Sequence, residues 1–197
     1  MSAVDNLELG LDADERIAVV DESTNEVVGS VRRAEMREGN LPHRATYVFV
    51  RVPGGSSTNP KLWVQKRTMI KDYCPGYLDP TAGGVVGADE TYEENAHREV
   101  EEEMGVITEG SGGEDGAERA HLRHCFSFHY KDDRANVWGD AWDCVWGGKI
   151  VPQEVQYVVL LFACIFFFSN YSSTYIYVVR RRDAAYYRVI HCVFLFL

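Results

Sequence analysis

The stretch Gly84–Val106, GVVGADETYEENAHREVEEEMGV, constrains this chain more than any other. Its spacing predicts a helix over 92–104, led in by a glycine-containing turn and stopped at Gly105. Glu99, Glu102 and Glu103 stand at i, i+3 and i+4 and so share one helical face. Ala96, Val100 and Met104 fall on another stripe, suited to packing on a sheet. Arg98 lies four residues from both Glu94 and Glu102 and can pair with either. Three carboxylates on one face repel one another unless cations sit among them. Hard divalent ions take oxygen ligands, and Mg²⁺ keeps waters and bridges to substrate phosphates, so the cluster suits a metal held against a diphosphate. A solvated acidic face with arginine pairs is the alternative that the glutamates alone leave open.

Around this helix the chain reads as alternating strands and turns. Residues 15–21 and 26–31 form two short strands about a Ser23-Thr24-Asn25 turn, and 32–38 a helical turn or two. Residues 43–52 and 61–67 read as a strand pair across a Gly/Ser/Asn-rich loop. Residues 124–130 and 136–146 read as paired strands. Residues 1–14 are an acidic, disordered lead-in, 15–157 the folded domain, and 158–197 an atypical hydrophobic tail.

Gly84, Glu90, Arg98-Glu99-Val100, Glu102-Glu103 and Gly105-Val106 match every position of the Nudix box, so the chain resembles the Nudix hydrolase family. The resemblance implies an α/β fold, the Nudix α/β/α sandwich with a mixed β-sheet, here with its C-terminal helix missing or replaced. It implies Mg²⁺ or Mn²⁺ as cofactor, with Glu99, Glu102 and Glu103 as metal ligands and the Gly84 carbonyl joining them. Arg98 would orient the carboxylates, and Glu90 would support the loop or bind through water. The activity implied is hydrolysis of a diphosphate linkage in a small substrate, such as a nucleoside diphosphate derivative. A carboxylate of the helix, Asp140 or Glu154 would take the proton. Lys66, Arg67 and Lys71 precede the box and suit phosphate contact as well as they suit plain surface charge.

The segments Pro42–Thr46, Val64–Arg67, Lys71-Asp72, Pro75–Asp79, Pro80–Gly84 and Val137–Gly139 look like the branch related to isopentenyl-diphosphate isomerase. An isomerase of that type uses a cysteine just before the box and a Glu-x-Glu in a later strand. Here Thr81-Ala82-Gly83-Gly84 has no thiol, Cys74 lies too early, and Trp138–Asp143 has no glutamate. His43 matches one isomerase metal ligand, which is one of a set. Hydrolysis is therefore the first expectation, isomerisation the second, and a catalytically impaired Nudix-like binding module the third.

Composition bears on partners and location. A net charge of -10 argues against a nucleic-acid polymer as partner. Five cysteines with no Cys-x-x-Cys pair, and a start with neither basic end nor apolar run, point to a reduced, cytoplasmic setting. His121, His124, Cys125 and His129 have no standard zinc spacing and alternate along a strand. Trp138, Trp142 and Trp146 recur at strand spacing on one face, as core or, for one of them, as a stacking surface.

Residues 151–197 hold 32 apolar residues of 47 and none of the 17 glycines, and carry +2 against -12 for the rest. Within them, 155–179 has no formal charge and is long enough to cross a membrane if helical. Arg180-Arg181-Arg182 would then favour the cytoplasmic side, which would place the acidic body across the membrane with no signal to send it there. The remaining expectations for this end are a segment packed in the core or at a homodimer interface, and an aberrant terminus in place of the family's last helix.

Overall fold

The computed structural model describes residues 14–54, 61–71, 73–79, 81–110, 119–151, 157–165 and 176–179. Their elements are β1 (Arg16–Val20), β2 (Val27–Arg32), α1 (Arg33–Glu38), β3 (His43–Arg51), β4 (Lys61–Lys66), β5 (Leu78–Asp79), α2 (Tyr92–Met104), β6 (Leu122–Lys131), β7 (Asn136–Val145), β8 (Tyr157–Ile165) and β9 (Ile176–Val179). The Asp21 carboxylate accepts the backbone N–H groups of Ser23 and Thr24 at 2.9 and 3.0 Å, and Asn25 takes φ 60°, which closes the β1–β2 hairpin where the turn residues stand.

β3 is the hub of the mixed sheet. One edge runs parallel to β7, from His43↔Val137 to Arg51↔Val145, and β6 adds antiparallel to β7 beyond it. The other edge is shared among three segments. β1 meets it at His43, the segment 82–87 bridges it at Ala45↔Val85 and Val48↔Ala82, and β4 meets it at Arg51↔Leu62. The expected pairing of 43–52 with 61–67 is thereby reduced to one register position, because the box-bearing loop takes the middle of the edge. Thr46 N–H donates to the Gly84 carbonyl at 3.0 Å, and Val48 and Ala82 exchange both backbone bonds at 2.7 and 3.0 Å.

α2 occupies the interval its spacing predicts. Thr91 caps it: its Oγ1 accepts from Glu94 N–H at 3.2 Å, and the Glu94 carboxylate accepts from Thr91 N–H at 2.8 Å. Such a reciprocal cap contributes about 1 kcal/mol. Gly105 ends the helix at φ 64°, a left-handed position that suits glycine. Ala96, Val100 and Met104 are fully buried against Val48, Val50, Trp142, Cys144 and Trp146. Burying a side chain such as Met104 stabilises by roughly 1.5–3 kcal/mol, so this stripe fixes the helix rotation and decides which glutamates turn inward.

β8 pairs antiparallel with β4 from Lys66↔Tyr157 to Lys61↔Phe162, and β9 pairs with β8. β8 crosses the domain boundary placed after Tyr157. The expectation of a membrane-crossing helix over 155–179 does not survive for its described parts. Residues 157–165 and 176–179 are strands, since β4 offers a free edge for the apolar run to pair with. Among the described residues no helix is long and apolar enough to cross a membrane, and none follows α2. The rest of that span, and 180–197, lie outside the described residues.

Candidate active site

The inner half of α2 carries two buried carboxylates and one partly exposed one. Glu99 is 8% exposed and Glu103 fully buried, whereas the Glu102 side chain keeps 41% of its surface. Arg98 ties three acids together. Its Nε and Nη2 donate to the two oxygens of Glu90 at 2.8 and 3.2 Å, and its Nη1 reaches Glu102 Oε2 at 2.8 Å and Glu99 Oε1 at 3.0 Å. Glu94, the other partner that spacing allowed for Arg98, is committed to the Thr91 cap instead. Glu90 also accepts from Gly87 N–H and Asn95 Nδ2, at 3.0 and 2.8 Å. Glu90 thus pins the loop to the helix.

Two adjacent glycines each touch one buried carboxylate. Gly83 N–H donates to Glu103 Oε2 at 3.0 Å. A Cβ on Gly84 would stand 2.2–2.8 Å from the carboxyl atoms of Glu99, so the bare backbone is what leaves that carboxylate room. The Gly84 carbonyl already accepts from Thr46 N–H, which leaves one lone pair for any further partner. Glu103 Oε2 also accepts from Gln65 Nε2 at 2.7 Å, and Lys71 Nζ lies 3.4 Å from Glu103 Oε1.

The electrostatics follow from this crowding. Burial, then repulsion from Glu103, lifts the Glu99 carboxyl to about 8 despite Arg98. Burial also pushes the Glu103 carboxyl up, against the pull of Lys71 and the Gly83 N–H. Burial would raise Glu90 too, but hydrogen bonds from Arg98, Asn95 and Gly87 outweigh it and hold that carboxyl low. Arg98, desolvated yet enclosed by carboxylates, is held charged.

These residues fit a hard divalent cation by chemistry. The donors are all oxygens, and two desolvated carboxylates side by side call for positive charge. They do not stand as a preassembled ligand set: among the described residues no three acidic, histidine or cysteine side chains converge on a common point. Arg98 takes up Glu99 and Glu102 on one side, and Lys71 and Gln65 take up Glu103 on the other.

Of the three basic residues before the box, Lys71 reaches a box carboxylate, with Nζ 3.4 Å from Glu103 Oε1. Lys66 Nζ donates to the Gly76 carbonyl, and Arg67 pairs with Asp79 at 3.2 Å and with the Tyr73 carbonyl at 3.1 Å, so both brace the 67–79 loop. Asp140 is buried in β7 with His124 Nε2 at 3.4 Å, and Glu154 lies outside the described residues. The histidine and cysteine residues in and just before β6 diverge: His121 turns to Glu109, His124 to Asp140, and His129 to Asn136, while Cys125 sits at the register shift. Trp142 and Trp146 enter the core, whereas Trp138 stacks on His129 at 5.0 Å and donates to the Glu22 carbonyl. Gln65 and Asn95 are site residues that sequence reasoning passed over. Asn95 is buried, bonded to Glu90, to the Val85 carbonyl and to Thr46 Oγ1. Their signal was a neutral polar residue just after the apolar run Leu62–Val64 for Gln65, and one turn before Glu99 on the helix for Asn95.

Fold and helix together define an α/β sandwich that carries a glutamate-rich loop and helix clamped to the sheet. The chain belongs to the Nudix family: the NUDIX domain model matches residues 41–160. It is 41% identical over 140 residues to the Nudix hydrolase YfcD of Escherichia coli (strain K12), covering 71% of this chain and 68% of that protein. It is 35% identical over 145 residues to the Nudix hydrolase SCO1686 of Streptomyces coelicolor, covering 72% and 70%. Among solved structures, DR0079 from Deinococcus radiodurans superposes with a TM-score of 0.58 at 25% identity, covering 74% of this chain and 82% of that one.

Proposed function

We propose that this Nudix hydrolase cleaves a diphosphate linkage in a small substrate, a nucleoside diphosphate derivative or a compound of like chemistry, and that it requires Mg²⁺ or Mn²⁺. One observation carries the reading: Glu99 and Glu103, both buried, lie against the adjacent glycines 84 and 83 at the edge of β3. Glu99, Glu102 and Glu103 would hold the cation, with the second lone pair of the Gly84 carbonyl beside them. When bound, the metal would neutralise phosphate charge and lower the pKa of a water. Arg98 keeps Glu99 and Glu102 oriented through its fork, a task that suits guanidinium geometry. Lys71 sits at Glu103 and is a basic residue placed to meet a substrate phosphate.

The branch resembling isopentenyl-diphosphate isomerase supplies the second reading. Two features speak for hydrolysis over it. The segment before the box, Thr81 to Gly84, offers no thiol to the site, and His43 is buried at the start of β3 with Nδ1 on the Leu41 carbonyl. The decisive experiment incubates the full chain with a panel of nucleoside diphosphate derivatives and with isopentenyl diphosphate, in Mg²⁺, Mn²⁺ or EDTA. Cleavage in metal and none in EDTA is the expected result. Isomer conversion without phosphate release would favour the isomerase. Binding without turnover on every compound would favour an impaired module.

A further inference from the structure

Gln65 lies on β4 with none of its side chain exposed. Its Nε2 donates to the Thr81 carbonyl at 2.6 Å and to Glu103 Oε2 at 2.7 Å. Both partners are acceptors, so the amide orientation is fixed: turned over, Oε1 would face two oxygens. Oε1 is left buried with no donor. Such an acceptor is costly to strand, and a fully buried strand position more easily takes an apolar side chain. Oε1 and Nε2 share one carbon, so the unmet acceptor lies beside the Glu103 carboxylate.

We propose that Gln65 is a positioning residue of the cation site, holding Glu103 through Nε2 and accepting through Oε1 a hydrogen bond from a water carried by the divalent cation. The inference rests on the metal-dependent reading given above. A neutral amide suits this place better than a carboxylate would in the metal-free protein, because it donates to Glu103 without adding a third buried negative charge. Partners of this kind, one bond behind the ligands, commonly set metal affinity by 10–100-fold.

The test measures Mn²⁺ binding to the metal-free full chain by calorimetry, with Tm in EDTA as the control for folding. Gln65→Met should bind Mn²⁺ about 10–100-fold more weakly than the wild type. Its loss of turnover should be partly restored by raising Mn²⁺, which a merely structural defect would not allow. Wild-type affinity in folded Gln65→Met would overturn the role of Gln65 and leave the hydrolase reading standing. Absence of Mn²⁺ binding by the wild type would overturn that reading and this inference with it. Where Gln65→Met does not fold, Gln65→Leu decides: a loss of about tenfold or more supports the role, and wild-type affinity overturns it.

Discussion

Gly84 and Glu99 are packed so closely that a Cβ on the glycine would stand 2.2 Å from Glu99 Oε1, while on the neighbouring Gly83 it would stand 2.0 Å from the Thr46 carbonyl oxygen. The two clashes differ in kind. A carboxyl group at the end of a flexible side chain can swing away; a backbone carbonyl in a sheet cannot.

Gly84→Ala should therefore fold with less than about 1 kcal/mol of destabilisation, yet lose metal-dependent turnover because Glu99 is displaced. Gly83→Ala should lose about 1–3 kcal/mol, the usual range for overpacking against fixed atoms. Chemical denaturation of both variants, beside an activity assay in Mg²⁺, distinguishes the two. Equal stability losses would contradict the assignment.

Glu103→Gln removes a fully buried negative charge whose carboxyl burial already pushes up. In EDTA its Tm should equal or exceed that of the wild type. In Mg²⁺ the wild type should gain Tm and the variant should gain less, with turnover reduced by at least about a hundredfold. A variant that turns over normally would remove Glu103 from the metal site.

Arg98 holds Glu90, Glu99 and Glu102 with one guanidinium, on a side chain that is 36% exposed. Arg98→Met should cost about 1–3 kcal/mol, less than a fully buried pair because solvent screens part of the charge. Arg98→Lys should recover little of this, since an ammonium cannot span three carboxylates. Urea denaturation of both variants measures it.

Away from the site, Asp143 on β7 binds Arg51 of β3 and Arg123 of β6, with Arg51 Nη2 at 2.5 Å and Arg123 Nη2 at 3.1 Å. Burial would raise its carboxyl, but hydrogen bonds from Arg51 and then Arg123 hold it below its ordinary 3.8. A depressed carboxyl contributes stability that is present above the unfolded value and lost as pH falls through the folded one. Asp143→Asn should thus cost about 1–2 kcal/mol at pH 7 and much less near pH 3. Denaturation midpoints at the two pH values check the sign.

Much of the site was legible because helix geometry is local. The interval of α2, its buried Ala96–Val100–Met104 stripe and the place of Glu99 all follow from residues within one turn of each other. The partners of Glu103 were not legible: Gln65 is 38 residues away in sequence, and Arg98 chose Glu90 because a loop folded back on the helix. The parallel pairing of β3 with β7 joins segments more than ninety residues apart, which no local pattern encodes. The apolar run after Tyr157 stayed open between several readings for a different reason. An unbroken hydrophobic stretch has no period to separate a strand from a helix, and pairing with β4 decided it.

The loop that carries Gly84 behaves as a surrogate strand, bonded to β3 at Thr46 and Val48 where a neighbour would otherwise run. Its motion is therefore coupled to the most central element of the sheet. The amide protons of Thr46, Val48 and Ala82 should exchange with solvent only on global unfolding, at rates set by the stability of the whole domain. Catalytic precision in this loop would then be a property of the sheet, inherited by a segment that is itself irregular.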